Sequence, residues 1–176
     1  MKILVTGAAG FIGFHLSKSL LEDGCEVLGI DNINDYYDTN IKLSRLKQLQ
    51  SYENFKFEKV NIADKKLIEQ VFKNFQPIKV VNLAAQAGVR YSIKNPYAYL
   101  NSNLIGFLNI IELCRQNNVE GLLYASSSSV YGLNKKTPFS EDDPINKCNS
   151  PYATSKYCME NIAKMYKQLY NMNIIG

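Results

Sequence analysis

A chain of 176 residues with 46% hydrophobic and 20% charged side chains and a mean hydropathy of -0.20 has the composition of a globular protein, at a length usual for one domain. Its 20 basic and 16 acidic residues give a net charge of +4 without a basic block, which makes no case for nucleic acid. No apolar run approaches the ~18 residues of a membrane span.

The first residues already read as a strand, with no signal-peptide pattern, so a cytoplasmic location is expected. Cys25, Cys114, Cys148 and Cys158 stand far apart and read as reduced thiols that fill small apolar spaces. His15 is the single histidine. It reads as a helix-face residue and leaves a histidine metal site or a Ser-His-Asp triad nothing to draw on, so no metal is expected.

Residues 2–6, KILVT, form a β-rich apolar run that ends in glycines and passes into a helical pattern over 11–22. The alternation then repeats: strand 25–31, helix 39–51, strand 55–60, helix 64–75 and strand 78–84. A long helix follows over 96–117, then strand 120–126, a loop rich in Ser, Asn and Pro to 149, and a helix over 151–170. MNIIG at the end begins a sixth strand. Strands alternating with helices imply right-handed βαβ crossovers, hence an α/β fold with a doubly wound parallel sheet in three layers. The Val-, Ile- and Leu-rich strands are those of a sheet buried on both faces, and 1–176 reads as a single domain.

The first strand runs into TGAAGFIG, whose glycines are spaced one residue wider than GxGxxG. Their physical roles still fit a phosphate-binding turn. Gly7 makes the sharp exit, Gly10 lets the backbone approach a pyrophosphate, and Gly13 permits close packing of helix on sheet. The helix then offers free N–H groups and a positive dipole end. Such glycines also serve tight turns that bind nothing. Asp31, at the end of the second strand, weighs against that: a carboxylate there accepts the ribose hydroxyls of adenosine and repels a 2′-phosphate. With Asn32 next rather than arginine, the expected cofactor is NAD.

SPYATSK at 150–156 starts a helix well, since Ser150 can cap it and Pro151 is pre-shaped for its first turn. Tyr152 and Lys156 lie one turn apart on one face. By itself this spacing suits a plain surface helix. Behind the fifth strand of an open parallel sheet, however, it stands at the cofactor crevice, where an ammonium and a helix N-terminus favour a phenolate. The strand end ASSSSVYG delivers hydroxyls to the same crevice.

TGAAGFIG, NLAAQAG, SSSSVYG and YATSK, in this order, resemble the extended short-chain dehydrogenase/reductase family of NAD-dependent epimerases and dehydratases acting on nucleotide sugars. DNINDYYD at 31–38 and the stretch 87–115 are most similar to UDP-glucuronate 4-epimerases of capsular polysaccharide biosynthesis. The resemblance implies a Rossmann fold and a catalytic triad of Ser127, Tyr152 and Lys156, with Tyr152 as base and Lys156 on the nicotinamide ribose. It implies cofactor contacts from the turn (Gly7, Gly10, Phe11, Ile12, Gly13), from Asp31 and Asn32, and from Asn61 and Ile62 at the adenine. Leu83, Ala84, Ala85, Asn103, Tyr152 and Lys156 complete the set. Asn61 stands where relatives more often have aspartate, and keeps an acceptor for the adenine amine. Asn82 stands where many have histidine.

The implied reaction is epimerisation through a transient 4-keto sugar, with hydride lent to NAD and returned to the other face. Related 4,6-dehydratases place an Asp-Glu pair after the catalytic hydroxyl; here those positions are Ser128 and Ser129, which cannot do that acid-base work. Decarboxylating relatives likewise generally keep an acid at the second position. The resemblance covers the N-terminal part of such enzymes, so the C-terminal substrate domain is expected to be missing. A non-enzymatic NAD-binding remnant and an interaction module are therefore alternative readings, as is an epimerase for another sugar. Apolar residues on more than one face of the helices near 96–117 and 151–170 suggest a homodimer.

Overall fold

The computed structural model describes residues 1–145 and 147–176. Six strands make one parallel sheet in the order β3-β2-β1-β4-β5-β6. They are β1 (Lys2–Thr6), β2 (Glu26–Asp31), β3 (Phe55–Lys59), β4 (Lys79–Asn82), β5 (Gly121–Tyr124) and β6 (Ile174–Ile175). The helices between them are α1 (Phe11–Glu22), α2 (Thr39–Leu49), α3 (Lys65–Phe75), α4 (Val89–Lys94), α5 (Pro96–Tyr99), α6 (Gly106–Gln116) and α7 (Pro151–Tyr170). The strand order reverses direction between β1 and β4, which opens a crevice beyond the carboxyl ends of those two strands.

Alternation along each strand sorts side chains into two cores. Ile3, Val5, Val27 and Phe55 join Phe14 and Leu21 of α1 and Leu46 and Leu49 of α2. Leu4, Leu28, Val80 and Leu122 face the opposite way, onto α3, α6 and α7, where Phe72, Phe107, Ile110 and Met159 are fully buried. This is the three-layer α/β/α arrangement expected of the sequence, a Rossmann fold.

Burial on both faces does not extend to the β5–β6 edge. Leu122 and Ile174 are buried, whereas their neighbours Leu123 and Ile175 are 46% and 60% exposed. The reason lies in the layers: α1 and α2 pack over β1 to β3, and no helix of the described residues covers that face of β5 and β6.

Helix ends follow local chemistry. The Asp64 carboxylate accepts from the Leu67 N–H at 3.1 Å to cap α3, and the Ser150 hydroxyl accepts from Ala153 N–H at 3.1 Å to cap α7, with Pro151 in its first turn. The spacing predicts one helix over 96–117. The structure has helix from 96 to 116 with a π-helical segment at Leu100–Ile105, and it adds the short α4. That helix follows Gly88, at a positive φ of 100°, and stops at Asn95; at six residues it is too short to carry a periodic signal.

Candidate active site

β1 ends at Thr6 and turns at Gly7, whose φ is +71°. The Gly7 N–H donates to Ile30 O at 2.7 Å. A methyl group on Gly7 would stand 2.9 Å from the backbone N of Ala84, so the exits of β1 and β4 abut. On Gly13 it would stand 2.1 Å from Gly7 O, which is how α1 begins so close to the strand. The first intrahelical bond of α1 is Phe14 N–H to Gly10 O, 3.0 Å. Gly10 supplies no side-chain cap, and the first turn has no acid. The N–H groups of Phe11, Ile12 and Gly13 are thus left for an anion. Phe11 and Ile12 expose their side chains to solvent, away from either core.

The cleft over this turn is walled by Gly7, Gly10, Asp31 and Asn32 on one side, Asn61 and Ile62 at one end, and Leu83, Ala84 and Ala85 on the other. Asp31 is buried. Its Oδ1 accepts from Ile33 N–H at 2.8 Å and its Oδ2 from Ala9 N–H at 3.3 Å. Lys42, which the sequence reading did not single out, is also buried in this wall: its ammonium donates to Asn34 O and Oδ1, at 3.0 and 2.8 Å, and lies 3.8 Å from Asp31 Oδ1. Nothing local marked it, since a lysine inside an amphipathic helix ordinarily faces water.

Asn82 is buried at the end of β4 with its Oδ1 accepting from the Thr6 hydroxyl at 2.8 Å, while Thr6 Oγ1 accepts from Ala84 N–H at 3.0 Å. An amide at this position fixes both strand exits. Asn103 is fully buried one layer behind the cleft, accepting from Gln86 N–H at 2.8 Å and donating to Gln86 O and Ser155 Oγ at 3.1 and 2.9 Å. It ties the wall residue Gln86 to α7.

Tyr152 and Lys156 occupy the first two turns of α7. Lys156 is buried and its ammonium donates to Ala125 O at 2.7 Å; burial pushes its pKa down to about 8. Ser127, two residues on, is extended at φ -160°, ψ 145°, and its Oγ accepts from Ser129 N–H at 3.1 Å, capping a short 3-10 turn over Ser128–Tyr131. Ser127 thus lies two residues beyond the carbonyl that Lys156 holds, and Tyr152 lies one turn before Lys156 on α7; no hydrogen bond joins the three side chains to one another. His15 is exposed on α1, and no metal-ligating cluster occurs among the described residues.

A row of tyrosines leads to Tyr152. The ring centroids of Tyr36 and Tyr91, Tyr91 and Tyr99, and Tyr99 and Tyr152 lie 5.1, 6.3 and 5.8 Å apart. Tyr99 is fully buried with its single hydroxyl proton shared between Ala87 O at 2.8 Å and Gly88 O at 2.5 Å, and burial pushes its phenol up to about 12. It is a neutral edge against which the Tyr152 ring rests at 69°. The row draws on separate elements, so no sequence spacing announced it.

The family model described as GDP-mannose 4,6 dehydratase matches residues 4–176. The chain belongs to that family. Within the family it is 52% identical over 176 residues to Protein CapI of Staphylococcus aureus, covering 100% of this chain and 52% of that protein. It is 46% identical over 177 residues to UDP-glucuronate 4-epimerase 2 of Arabidopsis thaliana, covering 100% of this chain and 41% of the relative. Among solved structures it is similar to UDP-glucuronic acid 4-epimerase from Bacillus cereus in complex with UDP-glucuronic acid and NAD. That similarity has a TM-score of 0.89 and 32% identity over 99% of this chain and 55% of the other. The chain therefore spans about half the length of the curated relatives it matches.

Proposed function

We propose that this chain is the NAD-binding part of a nucleotide-sugar 4-epimerase, with UDP-glucuronate as substrate and UDP-galacturonate as product. The observation that carries the reading is the anchoring of Lys156, one turn after Tyr152 on α7, to Ala125 O at 2.7 Å, two residues before Ser127, in a sheet whose cleft is lined by Asp31 and the glycine turn. The cleft fits a dinucleotide: glycines where a Cβ would collide with backbone, uncapped N–H groups at α1 for the pyrophosphate, and a buried carboxylate for the ribose hydroxyls. The kinship with UDP-glucuronate epimerases supports the choice of sugar.

When bound, NAD supplies a hydride acceptor that gives the hydride back, so the net reaction is an isomerisation. Tyr152 takes the proton from the sugar's 4-hydroxyl and returns it after the 4-keto sugar has turned over. Lys156 keeps a cation beside that base, and the Ser127 hydroxyl hydrogen-bonds the reacting oxygen. Ser128 and Ser129 supply no acid-base pair for the elimination of water that a dehydratase performs. Glu160, the carboxylate next along α7, accepts from Ser126 and lines a separate cleft with Tyr124, Tyr157 and Lys164. Epimerisation needs no such acid-base pair.

Exposed Tyr97, Leu100 and Leu108 on one helix and Met165 and Leu169 on α7 are offered to a second copy of the chain; light scattering that finds a monomer at high concentration removes the dimer. For the reaction, the protein is mixed with UDP-glucuronate and NAD and followed by NMR. UDP-galacturonate is expected, and Tyr152→Phe lowers its rate by about 10²- to 10⁴-fold. An unchanged rate in the variant removes Tyr152 as base; no product with NAD still bound favours the NAD-binding remnant instead, and neither signal the interaction module.

A further inference from the structure

Two side chains of α7, one turn apart, hold the strand end that carries Ser127. Lys156 donates to Ala125 O at 2.7 Å, and the Ser126 hydroxyl donates to Glu160 Oε1. The segment continues the sheet into this grip, since Ala125 N–H donates to Asn82 O at 3.2 Å, and Ser127 is extended. Along extended backbone, neighbouring side chains leave on opposite sides. Tying the Ser126 side chain to α7 therefore fixes the roll of the chain at Ser127 and with it the direction of the Ser127 hydroxyl, which accepts from Ser129 N–H at 3.1 Å.

Glu160 is half-buried, and it lies beside Tyr124, whose phenol is pushed up to about 12 by burial and by the Glu160 charge. Its carboxylate lines the cleft behind the strand rather than the one that holds Asp31. It is placed to orient and not to react. We infer that Glu160 is a positioning residue, which through Ser126 holds the Ser127 hydroxyl in register with Tyr152 and Lys156. This deepens the epimerase reading and rests on it for the role of Ser127.

The test compares wild type with Glu160→Ala, Glu160→Gln, Ser126→Ala and the double variant Glu160→Ala/Ser126→Ala. The first readout is amide hydrogen exchange at Ser129, which reports the local turn whether or not sugar is turned over. Loss of one hydrogen bond is expected to speed that exchange by about three- to tenfold in Glu160→Ala and in Ser126→Ala. Glu160→Gln keeps an acceptor and stays at the wild-type rate. The double variant is no worse than either single one, as for two ends of one bond. The second readout is sugar turnover, with kcat lowered in step with exchange and KM unchanged. Should Glu160→Ala not fold, Ser126→Ala removes the same bond. Wild-type exchange and kcat in both single variants overturn the proposal, as does Glu160→Gln behaving like Glu160→Ala. Wild type without turnover sinks the epimerase reading, while the exchange data still decide the positioning.

Discussion

The ammonium of Lys156 reaches from the second turn of α7 to the carbonyl oxygen of Ala125, 2.7 Å away, inside the protein. Burial lowers its pKa from 10.5 to about 8, so the group is protonated at neutral pH at a cost in solvation. Between those values the unfolded chain binds more protons than the folded one, and stability rises with pH; below about 8 the cost is constant. Relative to Lys156→Met, the wild type should gain on the order of 3 kcal/mol as pH climbs through that window. Paired denaturant titrations from pH 7 upward check this, and a flat difference removes the buried-cation account.

Asp31 ends β2 with one carboxylate oxygen on Ile33 N–H and the other on Ala9 N–H. Further lone pairs remain for ribose hydroxyls. A hydrogen bond to a charged group contributes about 1.5–3 kcal/mol, so Asp31→Ala should weaken NAD about tenfold to a hundredfold. Discrimination against NADP should fall with it, as the repelling charge is gone. Calorimetric titration with each dinucleotide measures both; an unchanged NAD affinity in a folded variant contradicts the role.

Gly13 carries the tightest packing in the phosphate turn. A Cβ there would lie 2.1 Å from Gly7 O and 2.8 Å from Gly7 C, both backbone atoms that cannot step aside singly. Gly13→Ala should destabilise the fold by about 1–3 kcal/mol or more and abolish NAD binding, because α1 must shift. Gly121→Ala is the control: its nearest neighbour is the side-chain Nδ2 of Asn173 at 3.5 Å, and its effect should stay within about 0.5 kcal/mol.

The parts of this site that sequence made legible are those set by short-range chemistry. Gly7 and Gly13 sit where the turn needs them, Ser150 and Pro151 open α7, and Tyr152 and Lys156 share one helix face. What stayed hidden depends on contacts between distant elements. Lys42 looked like any helix lysine until α2 folded over Asn34 and Asp31, and Tyr36, Tyr91 and Tyr99 became a row only when their elements converged. The uncovered face at Leu123 and Ile175 was hidden for the same reason, since an apolar strand reads alike whether one face or both are covered.

Asn103 links the cleft wall to α7. Fully buried, it satisfies Gln86 N–H, Gln86 O and the Ser155 hydroxyl with one amide. Asn103→Ala leaves the Gln86 N–H, a buried donor, without a partner, at about 1–3 kcal/mol for each orphaned group. A total loss of at least about 2 kcal/mol is expected, read from the urea midpoint at constant slope. Asn103→Asp keeps the acceptor for Gln86 N–H but faces Gln86 O with a buried charge, so it should rescue little. Because Gln86 also lines the NAD cleft, dinucleotide affinity should drop in the same variants that lose stability. A variant that keeps full stability and affinity would show that the wall at Gln86 holds its shape without this amide.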